Sequence, residues 1–152
     1  MPPLRKQTIA TFVLSLYIAF VFVQSLFFKW TGSEESIFIF ATLRDWSGIG
    51  LFEPFGRFFI GFCELIASIL LFVPRTRIWG AGMAMVIITG AIFFHLFTPL
   101  GVEIKGDGGL LFTLACGVWI ASATILVIHR REVIALLQTI LDFLRKDKMA
   151  AH

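Results

Sequence analysis

The sequence predicts an all-α integral membrane protein: a four-helix bundle with an outer interfacial helix and a C-terminal amphipathic helix. Three observations carry this. Residues of the AVILMFWYC class make up 58% of the 152 and DEKR only 15%, whereas a soluble domain is about 45–50% apolar and about 25% charged. Eighteen Phe and a mean hydropathy of +0.90 push the same way. The apolar residues also fall into four separate runs, each close to the ~20 residues that a helix needs to cross a bilayer. So much apolar surface cannot be hidden inside one small globule. Disordered, collagenous and nucleic-acid-binding chains are excluded as well. The net charge of +3 comes from basic residues at the ends of apolar runs, not from one patch.

The first run, 8–28, carries no charge, and Lys29-Trp30-Thr31-Gly32 closes it. Its apolar core is too long for a secretory signal, and Val23-Gln24-Ser25-Leu26 offers no small-x-small cleavage site, so it reads as a retained helix. The second, 56–73, has Arg57 at its start and Glu64 inside, and it ends in the short turn Pro74-Arg75-Thr76-Arg77. The third, 78–98, has His95 near its end and is stopped by Pro99. The fourth, 110–128, is uncharged and opens after Gly106-Asp107-Gly108-Gly109. Residues 1–130 thus form the four-span domain and 131–152 a cytoplasmic tail.

Between the first two runs lies an apolar connection. Ser33 can cap a helix there, with Glu34 and Glu35 in its first turn and Arg44 near its end. Trp30 and Trp46 suit the headgroup level. The segment is either a lid with a packing role or one wall of an outward-facing pocket, with Trp30 and Trp46 as the pocket lid. In the tail, Val133, Leu136, Leu137, Ile140, Leu141 and Leu144 trace one helical stripe. An interfacial helix and a partner-binding or oligomerising helix are both compatible with it.

Orientation follows from the basic residues. Arg5, Lys6, Arg75, Arg77, Arg130, Arg131, Arg145, Lys146 and Lys148 share one side, against Lys29, Arg44 and Lys105 on the other, with Arg57 at the boundary. Both termini are therefore expected in the cytoplasm, as for a protein of the bacterial inner membrane.

Helices in lipid pack through small residues. The small-residue stripe of the first span (Thr11, Ser15, Ala19, Phe22, Ser25) runs on to Lys29. That of the second (Gly61, Ser68) contains Arg57 and Glu64, and that of the third (Gly80, Ala84, Ala91) reaches His95. For the fourth, Gly109, Thr113, Cys116 and Ala123 are the expected inward face. Lys29, Glu64, His95 and Arg57 are thus expected together in the outer half of the bundle, Glu64 roughly 12 Å along its helix. A bare carboxylate inside a span costs ~2.5–3.5 kcal/mol on insertion scales. Two readings justify keeping it. One is a structural clamp in which Glu64 pairs with Lys29, Arg57 or His95. The other is a ligand-binding or proton-linked site, since a Glu–His pair can share a proton near neutral pH, as quinone chemistry would use. No catalytic triad is visible. One Glu and one His do not make a metal site, and haem lacks a second histidine at the right depth, because His129 lies at the opposite end and His152 is terminal. Cys63 and Cys116 are expected as free thiols.

These elements resemble the DoxX family of small four-helix membrane proteins. Phe27-Phe28-Lys29-Trp30 closes the first helix, Gly61-Phe62-Cys63-Glu64-Leu65 lies in the second before the short Arg75–Arg77 turn, and Ala91-Ile92-Phe93-Phe94-His95 ends the third. The resemblance covers about Thr8 to His129, and the order Lys, Glu, His across three helices is its strongest part. It implies a link to membrane redox systems, such as the membrane subunit of a thiosulfate:quinone oxidoreductase, or membrane anchors of oxidative-stress or methylamine-utilisation complexes. The first functional expectation is a redox-linked subunit binding a quinone-like or other amphipathic ligand, acting within an oxidoreductase complex rather than alone. The second is a non-catalytic accessory or assembly subunit, with partner subunits or a homo-oligomer. A small transporter or proton path is third.

Overall fold

The computed structural model describes residues 3–150, with side chains from 6 to 145. The side chains of Arg5, Lys146 and Lys148, and all of His152, used above for orientation and ligand arguments, lie outside the described residues. The described residues form helices and connections only. In chain order these are α1 (Pro3–Thr31), α2 (Glu34–Ser47), α3 (Arg57–Phe72), α4 (Arg77–Phe97), α5 (Leu110–Ile128) and α6 (Arg130–Ala150), with a single wide π-type turn, Phe52–Gly56, leading into α3. Four helical stretches, Lys6–Thr31, Phe52–Phe72, Arg77–Phe97 and Leu110–Ile128, are long and apolar enough to cross a membrane. The protein is an all-α membrane bundle.

Each boundary has a local cause. Gly32 takes a left-handed φ of 70°, and the Ser33 N–H reaches back to the Phe28 carbonyl at 3.0 Å. That 6→1 bond, closing the helix across a glycine, is a Schellman stop. It lets α1 run past position 28, the end expected from the apolar run. Ser33 then caps α2 by accepting the Ser36 N–H at 3.2 Å, with Glu34 and Glu35 in the first turn, and Gly48 (φ 71°) ends it. After α3, Thr76 and Arg77 donate to the Leu70 and Leu71 carbonyls, both at 3.2 Å, so orphan C=O groups are satisfied within the tight turn.

The four long helices pack as a ring in chain order: α1 against α3, α3 against α4, α4 against α5, and α5 back against α1. This is the up-down topology that short connections favour. The buried core runs along its axis through Ile18, Phe22, Ala67, Leu71, Ala84, Val118 and Ile125. Meanwhile Phe12, Phe20, Phe62, Trp119 and Ile120 point outward from the ring, as lipid-facing residues do. The stripe expected on the fourth span is corrected. α5 turns Ala115, Val118, Ala121, Ser122 and Ile125 inward, while Thr113 faces out and returns its hydroxyl to the Gly109 carbonyl at 2.9 Å. A helix that is apolar all round has small residues on several faces, so spacing alone does not select one. α2 and the π-type turn pack on each other and against α1 and α3 at the end of the ring opposite the termini. At the other end the Thr11 hydroxyl and His129 Nε2 lie 3.2 Å apart, joining the starts of the bundle and of α6. α6 keeps Leu137, Ile140, Leu141 and Leu144 exposed.

α3 and α4 approach closely, backbone to backbone, at Gly80. A Cβ there would meet the Leu71 backbone nitrogen at 2.7 Å and the Ala67 carbonyl oxygen at 3.0 Å. Backbone atoms cannot step aside as a side-chain tip can. Gly80→Ala is therefore expected to destabilise by about 1–3 kcal/mol, read as a lowered thermal midpoint in detergent. Gly82→Ala, two residues on with nothing within 4 Å of the added carbon, should leave it unchanged.

Candidate functional site: a polar chamber at the end opposite the termini

The sequence-expected polar residues gather at the end of the ring covered by α2. Lys29, in the last turn of α1, projects its ammonium between the carboxylate oxygens of Glu64 on α3, 3.0 Å from Oε1 and 3.1 Å from Oε2. Ser25, one turn before Lys29, accepts from the same ammonium and donates to Glu64 Oε1 at 3.3 Å. The side chains are 12% and 5% exposed, so this is a buried ion pair with a hydroxyl bridging it. The sequence left Lys29, Arg57 and His95 open as partners of Glu64, and Lys29 is the one chosen.

Arg57 does something else. Its Nε holds Glu53 through both oxygens, at 3.0 and 2.9 Å, and its terminal nitrogen donates to the backbone carbonyl of Lys29. The guanidinium also covers the Phe58 ring at 4.5 Å. Arg57 thus ties the π-type turn to the end of α1. It braces the residue that carries the ammonium and does not itself line the chamber.

His95, near the end of α4, is 7% exposed. Its Nδ1 lies 2.6 Å from the Gly101 carbonyl, and since a carbonyl only accepts, Nδ1 carries the hydrogen. The ring stands edge-on to Phe112 at 5.6 Å. No hydrogen bond among the described residues joins Glu64 to His95, so the direct Glu–His pair considered from the sequence does not form. Each has its own partner, and the two face a common space.

That space is a chamber of about 1040 Å³ walled by α1, α2, the π-type turn, α3, α4 and α5. Lys29, Glu64, Ser25, His95 and Asp107 are among its polar points, with Gln24, Ser33, Glu35 and Ser36 also on its lining, and Phe22, Phe40, Phe52, Phe59 and Phe94 form much of its apolar wall. Phe52 and Phe94 meet edge-to-face at 5.8 Å, joining the turn to α4. Cavities of this size, mostly apolar with a few convergent polar groups, are typical small-molecule sites. Trp30 and Trp46, the expected lid, do not line it. Trp30 instead lays its indole on Gly61, where a Cβ would come within 2.8 Å of Nε1, and so locks α1 to α3 from outside. Trp46 is 48% exposed on α2. The cover comes from the other face of α2, through Ser36, Phe40 and Leu43.

Of the two free thiols, Cys63 borders the chamber and Cys116 does not. Among the described residues no three His, Cys, Asp or Glu side chains cluster to hold a metal ion. Comparison with family models, curated proteins and solved structures returns no match.

Two contributors were not singled out from the sequence. Ser25 carries a signal, the i, i+4 spacing to Lys29. Asp107 carries another, an acid just before an apolar helix. Its Oδ1 accepts the Ile104 and Gly109 N–H groups at 2.8 and 2.9 Å, and Oδ2 accepts that of Leu111 at 3.0 Å. Burial pushes its pKa up. The three N–H donors outweigh that and hold it below its ordinary value.

Removing one member of the Lys29–Glu64 pair strands the other charge. Glu64→Leu is expected to destabilise by about 3–5 kcal/mol, and Lys29→Met with Glu64→Leu to recover most of it, as measured by thermal unfolding of both variants in detergent. For Asp107, a lowered folded-state pKa means the carboxylate stabilises the fold above its unfolded value, near 4, and ceases to as pH falls through the lower folded value. Asp107→Asn should lower the melting temperature at neutral pH and flatten its decline below about pH 4.

Proposed function

We propose that the protein is a DoxX-like, redox-linked subunit of the bacterial cytoplasmic membrane, with both termini in the cytoplasm, that binds a quinone-like or other amphipathic ligand in the chamber. The observation that carries this reading is the chamber itself. Its walls are aromatic and aliphatic, and a few buried polar groups lie on α1, α3, α4 and the loop before α5. An apolar body with a polar head matches that distribution. The Lys, Glu, His order across three helices is the other support. The chain acts within a larger oxidoreductase complex, since its polar groups make no self-sufficient catalytic set.

A second reading, a non-catalytic accessory subunit, draws on α6, whose apolar stripe finds no packing surface on the bundle and stays exposed at Leu137, Leu141 and Leu144. A partner or the membrane surface could take it.

Gly90 lines the chamber, and a Cβ there meets nothing within 4 Å, so the side chain of Gly90→Phe starts in open space and serves to occupy the chamber. Solvent extraction of protein purified in mild detergent is expected to release quinone from the wild type and little from Gly90→Phe. Equal amounts in both, or none in either, would sink the ligand-binding reading. Removing positions 131–152 separates the readings: loss of a co-purifying complex with quinone retained favours the accessory role for the tail.

A further inference from the structure

The polar groups of the chamber are not equally available. Glu64 Oε1 accepts from Lys29 and Ser25, Oε2 accepts from Lys29, and the Lys29 ammonium is spent on Glu64 and Ser25. Both oxygens of Asp107 hold backbone N–H groups. His95 differs. Its Nδ1–H is fixed on the Gly101 carbonyl, which orients the ring and leaves Nε2 on the opposite edge. Nε2 has no hydrogen-bond partner among the described residues, although the residue is more than nine-tenths buried and borders the chamber. With Nδ1 protonated, a neutral imidazole presents Nε2 as an acceptor. Among the described residues the fully buried polar atoms without a partner are the hydroxyls of Ser15 and Ser122; Nε2 is not one of them, so it is accessible and open to a donor that a ligand brings.

We propose that His95 Nε2 is the polar anchor of the chamber and accepts a hydrogen bond from the hydroxyl of an amphipathic ligand, so that the site favours a hydroxyl-headed molecule, such as a quinol or an alkylphenol, over its oxidised or O-alkylated counterpart. The inference rests on the chamber being a ligand site and goes further by assigning which residue reads the head and which hydrogen-bonding character the head must have. Lys29 and Glu64 hold the wall and are not the reader. The apolar tail lies among the phenylalanines, where no directional contact is needed.

The test uses the full chain in lipid nanodiscs with two redox-inert probes, 4-dodecylphenol and its O-methyl ether. They share the tail and differ in one donor hydrogen. The phenol is expected to bind several-fold, up to about tenfold, more tightly than the ether, the scale of one hydrogen bond made or lost. In His95→Phe the two should bind alike, at the affinity of the ether for the wild type, which also reports that the chamber is intact. In the unmodified protein, the phenol and not the ether should move the 15N resonance of Nε2. If phenol and ether bind the wild type equally, and Gly90→Phe abolishes both, the chamber is a ligand site and the assignment to His95 is wrong. If neither probe binds the wild type, the chamber reading itself fails.

Discussion

A carboxylate inside a membrane bundle has to be matched, and the match made for Glu64 organises one whole end of this protein. The partner is supplied by α1, so that helix must stay helical through Lys29 and stop immediately after it, which the Gly32 turn and its bond to Phe28 accomplish. Arg57 pins the Lys29 carbonyl, and Trp30 fills the notch at Gly61. Three contacts between α1 and α3 thus converge within one turn of α1, and they make the α1–α3 seam a rigid wall. A lone charge could not be kept there: ionisable groups at membrane depth persist when paired and turned inward.

The rest of the chamber follows from covering that wall without filling it. α2 buries Ser36, Phe40 and Leu43 and leaves its charged side outward. The loop from Thr98 to Gly109 is folded around Asp107, whose carboxylate gathers three backbone N–H groups, and around His95, which gathers the Gly101 carbonyl from the other side. Irregular backbone at this depth is tolerated where its polar groups are satisfied by protein, and these two residues provide for that. Polar residues at this end of the molecule therefore serve mainly to secure the walls. His95 combines a structural bond with an unengaged atom.

Much of this was legible in the sequence because the membrane imposes strong rules. Run length, charge-free stretches and breaks at Gly32, Pro74, Pro99 and Gly106–Gly109 locate four spans to within a few residues of Pro3–Thr31, Arg57–Phe72, Arg77–Phe97 and Leu110–Ile128. Small-residue spacing placed Lys29, Glu64 and His95 on inward faces, because a polar group in lipid has few other places to go. The failures share a cause. Whether Glu64 would meet Lys29, Arg57 or His95 depends on helix rotation and tilt, which periodicity does not encode. The inward face of α5 was misassigned since nothing in an evenly apolar helix marks it. Trp30 and Trp46 suggested a lid by their chemistry, but Trp30 had a tighter place against a glycine on the next helix, a long-range packing choice.

The placement of α6 has a consequence for how the two ends relate. It departs at His129, while the chamber reaches along α5 as far as Ala115, and the 14 residues between span roughly 21 Å. The intervening core packs Ile18, Leu71, Ala84, Val118 and Ile125, with the buried hydroxyls of Ser15 and Ser122 among them. The exposed tail helix and the chamber thus occupy opposite ends of one scaffold, with a packed apolar core between them.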